Sequence, residues 1–135
     1  MAVIPYLACM ITVAGVAHLP PRVLPVIAAI EGGAPGTVRP DANGTADFGV
    51  MQVNSIWVPA LAAEARMGQA QARAALINDP CFNIAAAALI LRVYIHQEGG
   101  ALLPASGDYH SHTPPLNQAY ISRAETTAAR MFEGN

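Results

Sequence analysis

A single carboxylate, Glu31, closes the apolar run Ala28-Ala29-Ile30 and is followed at once by Gly32-Gly33. A carboxyl group among apolar neighbours holds its proton to higher pH, and a protonated acid near neutrality can serve as a general acid. The two glycines can stop a helix and let a ligand come close to the backbone. Most glutamates at helix ends are solvated surface groups, so the weight of this hexamer comes from what lies downstream. Acidic partners for Glu31 are few. Asp41 and Asp47 fall in a turn-rich stretch, where a carboxylate commonly bonds nearby loop backbone, and Asp108 adjoins Tyr109. His110 and His112 flank Ser111 close to Asp108, but zinc sites want three or four ligands, so solvent or hydrogen-bonding roles fit these histidines better.

Composition bounds the answer. The chain has 135 residues, 53% of them apolar, which suits one folded domain over residues 1–135 and excludes disorder. A formal charge of −2 with seven basic residues spread singly leaves no basic stripe for nucleic acid. There is no internal repeat and no low-complexity segment. The apolar stretch Ala2 to Ala17 is shorter than the ~20 residues a membrane span needs and contains Pro5. It also lacks the preceding Lys or Arg of an export signal, so it is read as the first helix of the mature domain, any export signal having been removed. Cys9 and Cys81 have no metal-site spacing; a disulfide is the economical reading, with two buried thiols as the alternative.

These elements must carry the candidate residues. A first helix spans residues 6–17. A second runs from Arg22 to Glu31, with Val23, Leu24, Ile27 and Ile30 as its buried stripe and Pro25 tolerated near the first turn. Residues 34–48 break helical periodicity, and Asn43-Gly44 marks a turn, predicting a small irregular hairpin or tight loop. Helices follow over Ser55 to Arg66 and Gln69 to Ile77. Asp79-Pro80 then opens the most apolar helix, Cys81 to Gln97, expected to be central and buried. Leu102 to Pro115 reads as a loop holding Tyr109 to His112, and Asn117 to Phe132 as the last helix, carrying Tyr120. Trp57, the only tryptophan, fits either sugar stacking or core packing.

Three blocks occur in order: Ile30-Glu31-Gly32-Gly33, then Asn43 to Asn54 with Gly49-Val50-Met51-Gln52 inside it, then Asp79-Pro80-Cys81-Phe82-Asn83-Ile84. Together they resemble the soluble lytic transglycosylase domain, and most of all its small one-domain type found with bacterial secretion, conjugation and pilus systems. The usual patterns are Glu-Ser-Gly and Gly-Leu-Met-Gln, so each motif here departs by one residue. The resemblance implies a mainly α, lysozyme-like fold with a small loop or hairpin after the catalytic helix. It implies Glu31 as the single acid/base, with Gly49, Met51 and Gln52 lining a sugar groove and Asn83 supporting it. Tyr109-His110-Ser111 stands where many relatives have Tyr-Asn-Ala, which places Tyr109 near Glu31 and makes His110 a substitution in the substrate-binding set. Tyr120 matches a tyrosine whose hydroxyl points at the glutamate. The same resemblance pairs Cys9 with Cys81 and implies an exported, periplasmic monomer. The implied ligand is peptidoglycan glycan, with secretion, conjugation or pilus components as possible partners and no metal or organic cofactor.

Glycosidases usually use two carboxylates ~5–9 Å apart. With one carboxylate and an N-acetylated sugar, a self-contained route remains. Glu31 protonates the leaving oxygen, and its carboxylate then takes the proton of the muramyl 6-hydroxyl as that oxygen closes on C1.

Overall fold

The computed structural model describes residues 3–133. It is mainly helical with one small sheet: α1 (Leu7–Ala17), α2 (Val23–Glu31), β1 (Val38–Pro40), β2 (Ala46–Phe48), β3 (Val53–Asn54), a 3-10 turn (Ser55–Trp57), α3 (Val58–Ala65), α4 (Gln69–Asn78), α5 (Pro80–Gln97), α6 (Leu102–His110) and α7 (Pro114–Phe132). The strands form one antiparallel sheet in the order β1-β2-β3, with Arg39 opposite Asp47 and Phe48 opposite Val53. The hairpin expected over residues 34–48 is therefore present, with Gly44 at φ 86° in its turn, and a third short strand extends it.

The segment expected to be a loop, residues 102–115, is instead a helix over Leu102–His110. Pro104 falls in its first turn, where a missing N–H leaves no hydrogen bond unmade. Gly107 is a packing device rather than a breaker, because a Cβ there would run into the side chain of Asn117 on α7. The last helix accordingly starts three residues earlier than expected, at Pro114. No single helix among the described residues is long and apolar enough to cross a membrane.

Helix α5 is the hub. Asp79 caps its N-terminus by accepting from Phe82 N at 3.1 Å, and Pro80 takes the first helical position. Its side chains Ile84, Ala87, Leu91 and Ile95 are buried against Leu24, Ile27, Phe48, Met51 and Leu76. Helices α1, α4 and α6 pack on α5, while α7 lies across α6 and α2. This arrangement closes the core around the end of α2, where Glu31 emerges.

Cys9 and Cys81 form a disulfide that ties α1 to the start of α5, with Cα atoms 5.8 Å apart. The pair is separated by 72 residues, so the cross-link removes a large share of the unfolded chain's freedom. Reducing it, or replacing both cysteines by serine, is expected to lower unfolding free energy by about 4 kcal/mol, read by urea denaturation with and without reductant. A loss below about 1 kcal/mol would contradict that expectation.

Candidate active site

Glu31 is the last residue of α2, part-buried at the junction of helix and hairpin. Gly32 caps the helix in the left-handed region at φ 65°, its N–H donating to Ala28 O. Gly33 then passes so close to the turn before β3 that a Cβ would strike the Gly49 carbonyl oxygen. Alanine at 33 would push the end of α2 off that turn. The Arg39 guanidinium holds the same junction from β1, with Nη1 donating to Glu31 O at 2.8 Å and Nη2 to Gly32 O at 3.1 Å. The carboxylate side chain is fixed from the far side, where the Tyr120 hydroxyl donates to Oε2 at 2.8 Å.

Gly49 to Gln52 forms the floor beneath this junction. Gly49 sits at φ 70°, and a Cβ there would collide with Leu76 O and the Asn83 amide. Gln52 also has a positive φ, 54°, unusual for a residue with a side chain. Its backbone N and its Nε2 both donate to Gly49 O, at 3.1 and 3.0 Å, which holds the turn closed. Asn83 is fully buried and satisfied on three sides: Oδ1 accepts from Met51 N at 2.8 Å, and Nδ2 donates to Phe48 O and Leu76 O at 2.7 and 2.8 Å. Of the four-residue motif, only Gln52 reaches the groove wall. The Met51 side chain is wholly buried and packs in the core, while its carbonyl accepts from the Tyr109 hydroxyl at 2.7 Å.

An open groove of about 550 Å³ runs past Glu31. Asp41 and Asp47 from the hairpin, Asn54 from β3, and Tyr109, His110 and His112 from the end of α6 and the turn after it line the groove. Trp57 lines the groove as well, and its ring meets Tyr94 edge-on at 5.9 Å, so packing and groove exposure are both satisfied by one residue. Tyr94 in turn meets His112 edge-on at 5.3 Å. His110 lies flat on Tyr120, ring centroids 4.9 Å apart and planes 10° from parallel.

Burial pushes Glu31 up from 4.5 to about 6; the Tyr120 hydrogen bond works against this, and the nearby Asp47 charge adds to it. Glu31 is thus partly protonated near pH 6 and can give up a proton. Oε2 accepts from Tyr120, which leaves Oε1 available to carry a transferable proton. Asp47 is also raised, chiefly by burial and by its neighbour Asp41, although a hydrogen bond from Asn54 opposes the shift. Its carboxylate bonds the Asn54 side chain at 2.9 Å rather than loop backbone, and Asn54 Nδ2 also donates to Asp41 at 3.1 Å. Asp41 keeps a turn role besides, accepting from Thr45 Oγ1 at 3.2 Å and, through its carbonyl, from Gly44 N at 3.2 Å. Asp108 is taken up by Asn117 Nδ2 at 3.1 Å and by His112 at 3.4 Å. Among the described residues no three His, Cys, Asp or Glu side chains gather to hold a metal ion.

If Tyr120 lowers the Glu31 value as this geometry requires, Tyr120→Phe moves Glu31 titration upward by roughly half to one pH unit. Carboxyl-carbon NMR across pH 4–8 reads this directly; an unchanged or lower midpoint would contradict it.

Arg39 and the Asp41–Asn54–Asp47 network are the site features that motif reading does not reach. Arg39 had one signal, being the only basic residue between Arg22 and Arg66. No protein-family model matches the chain, and no curated protein matches it.

Proposed function

We propose that the protein is a peptidoglycan lytic transglycosylase, cutting the β-1,4 bond between N-acetylmuramic acid and N-acetylglucosamine without water. The observation that carries this reading is Glu31 itself: one part-buried carboxyl, raised to about 6, gripped by Tyr120 and opening onto a groove of about 550 Å³. An open groove lined by aromatic and polar side chains suits a glycan strand. Glu31 protonates the leaving glycosidic oxygen, and the 2-acetamido oxygen or ion-pair electrostatics stabilises the oxocarbenium-like centre. The glutamate then accepts the proton of the muramyl 6-hydroxyl, whose oxygen bonds to C1. Acid and base are one residue, the nucleophile belongs to the substrate, and the product carries a 1,6-anhydromuramyl end.

The ordered motifs around Glu31, Gly49-Val50-Met51-Gln52 and Asn83 support the same reading by their resemblance to the lysozyme-like transglycosylase domain. A disulfide is compatible with export, and a periplasmic enzyme opening the wall locally for a secretion, conjugation or pilus apparatus fits that compartment. One observation favours a second reading: Asp47 lines the same groove and its charge reaches Glu31. As a base activating water it would make the protein a hydrolytic lysozyme. An inactive glycan-binding module would retain the groove without needing a carboxyl tuned toward neutrality. Incubating the purified protein with cell-wall sacculi tests the enzymatic reading: release of soluble muropeptides supports it, and binding to sacculi without release refutes it.

A further inference from the structure

We propose that His110 is a positioning residue, whose ring clamps Tyr120 against Glu31 and keeps groove water off their hydrogen bond, rather than a group that binds the glycan. Tyr120 is 4% exposed, while His110, stacked flat on its ring at 4.9 Å, is exposed and lines the groove. His110 is therefore the groove-side cover of Tyr120. Behind it, the Tyr120 hydroxyl reaches Glu31 Oε2 at 2.8 Å, so His110 and Glu31 both face the groove and Tyr120 lies behind them, joining the two. A parallel aromatic pair fixes the plane of the lower ring, and fixing that plane fixes where the hydroxyl points. The imidazole closes α6 as its last residue and Tyr120 stands on α7, so the stack also spans the joint between these two helices.

Charged and titratable groups around the stack are Arg123 beside His110, and Glu31, Tyr109 and Arg123 beside Tyr120. Burial, then the Arg123 charge, lowers His110 below its ordinary value, which keeps the ring neutral over more of the range in which Glu31 titrates. A neutral ring adds no positive charge against the glutamate. What it contributes is cover, and burial is the largest cause of the raised Glu31 value.

This inference rests on the reading of Glu31 as the acid, so the test uses a readout that needs no substrate. His110→Ala and His110→Phe are compared with the parent protein by carboxyl-carbon NMR titration of Glu31, and separately by sacculus digestion. Removing the ring admits water, which lowers the Glu31 midpoint, and loosens the Tyr120 bond, which raises it; burial is the larger of the two causes, so the midpoint is expected to fall from about 6 to roughly pH 5.5, with kcat down ~10-fold and KM within ~2-fold. The phenyl ring keeps the stack but has no hydrogen-bonding nitrogen, so His110→Phe should match the parent in both readouts. An unchanged midpoint in His110→Ala overturns the assignment. So does a raised KM in His110→Phe, which would make His110 a glycan contact. If the midpoints move as stated while no protein releases sugar, the stack assignment stands and the glycan-cleaving reading fails.

Discussion

Replacing Glu31 by glutamine is expected to abolish muropeptide release, by at least ~10³-fold, while making the protein more stable at neutral pH. Loss of the proton donor accounts for the first effect, since Glu31 is asked to serve as both acid and base. The second follows from linkage. Glu31 rises on folding from 4.5 to about 6, so the folded state holds this proton more tightly than the unfolded chain does. That favourable contribution is complete below pH 4.5 and is lost as pH rises through about 6. Above that, the ionised carboxylate costs about 2 kcal/mol relative to a neutral side chain in the same place. Glutamine has no charge and keeps a carbonyl oxygen for the Tyr120 hydroxyl. Glu31→Gln should therefore raise the melting temperature by about 6 °C at pH 7.5 and leave it unchanged at pH 4. Calorimetry at both pH values reads this. Equal stability of the two proteins at pH 7.5 would mean that Glu31 is not desolvated, and equal sugar release would mean that it is not the acid. Activity of the parent should fall as pH rises through about 6, where the acid form disappears.

Asn83→Ala is expected to cost about 4 kcal/mol in unfolding free energy, as much as loss of the disulfide. The Asn83 amide is fully buried and joins Met51 N, Phe48 O and Leu76 O, which belong to the motif turn, to β2 and to α4. Alanine would leave three backbone groups without partners in the core, at about 1–3 kcal/mol each before relaxation. Asn83→Asp should do no better, because a carboxylate can still accept from Met51 N but cannot donate to the two carbonyls, and it buries a charge. Urea denaturation measures both; a loss below about 1 kcal/mol in either would show that water or rearrangement satisfies these groups. The turn that Asn83 holds also carries Gln52 and receives Gly33, so a variant that still folds should show Glu31 less well fixed.

How far the chain could be read in advance depended on whether local chemistry or long-range packing decided each element. Helices α2 and α5 declare themselves through proline near the start, apolar spacing and, for α5, the Asp79 cap, and they fold where those signals place them. The hairpin was legible from Asn43-Gly44, since a left-handed turn residue there acts within a few residues. Helix α6 was not, because Pro104 and Gly107 look like breakers until their surroundings are known: one falls in the first turn, and the other makes room for Asn117. Strand β3 is two residues long and exists only through pairing with β2.

The site divides the same way. Glu31 stands out as one acid at the end of an apolar run, and Tyr120 through its motif position, yet the 2.8 Å bond between them spans 89 residues of sequence. Arg39 cannot be found by pattern, because its partners are the backbone carbonyls of Glu31 and Gly32, and any residue type supplies those. Met51 shows the reverse case: a conspicuous motif residue whose side chain is core and whose carbonyl holds Tyr109 in place.

The claim that ties these features together is that Glu31 works without a second carboxylate, and the mass of the product end tests it most directly. Mass spectrometry of glycan released from sacculi should find muramyl ends lacking one water, the 1,6-anhydro form, at every cut and none with Glu31→Gln. Ends that carry the added water, above all if they vanish with Asp47→Asn, would contradict the account and make Asp47 the base of a hydrolytic enzyme.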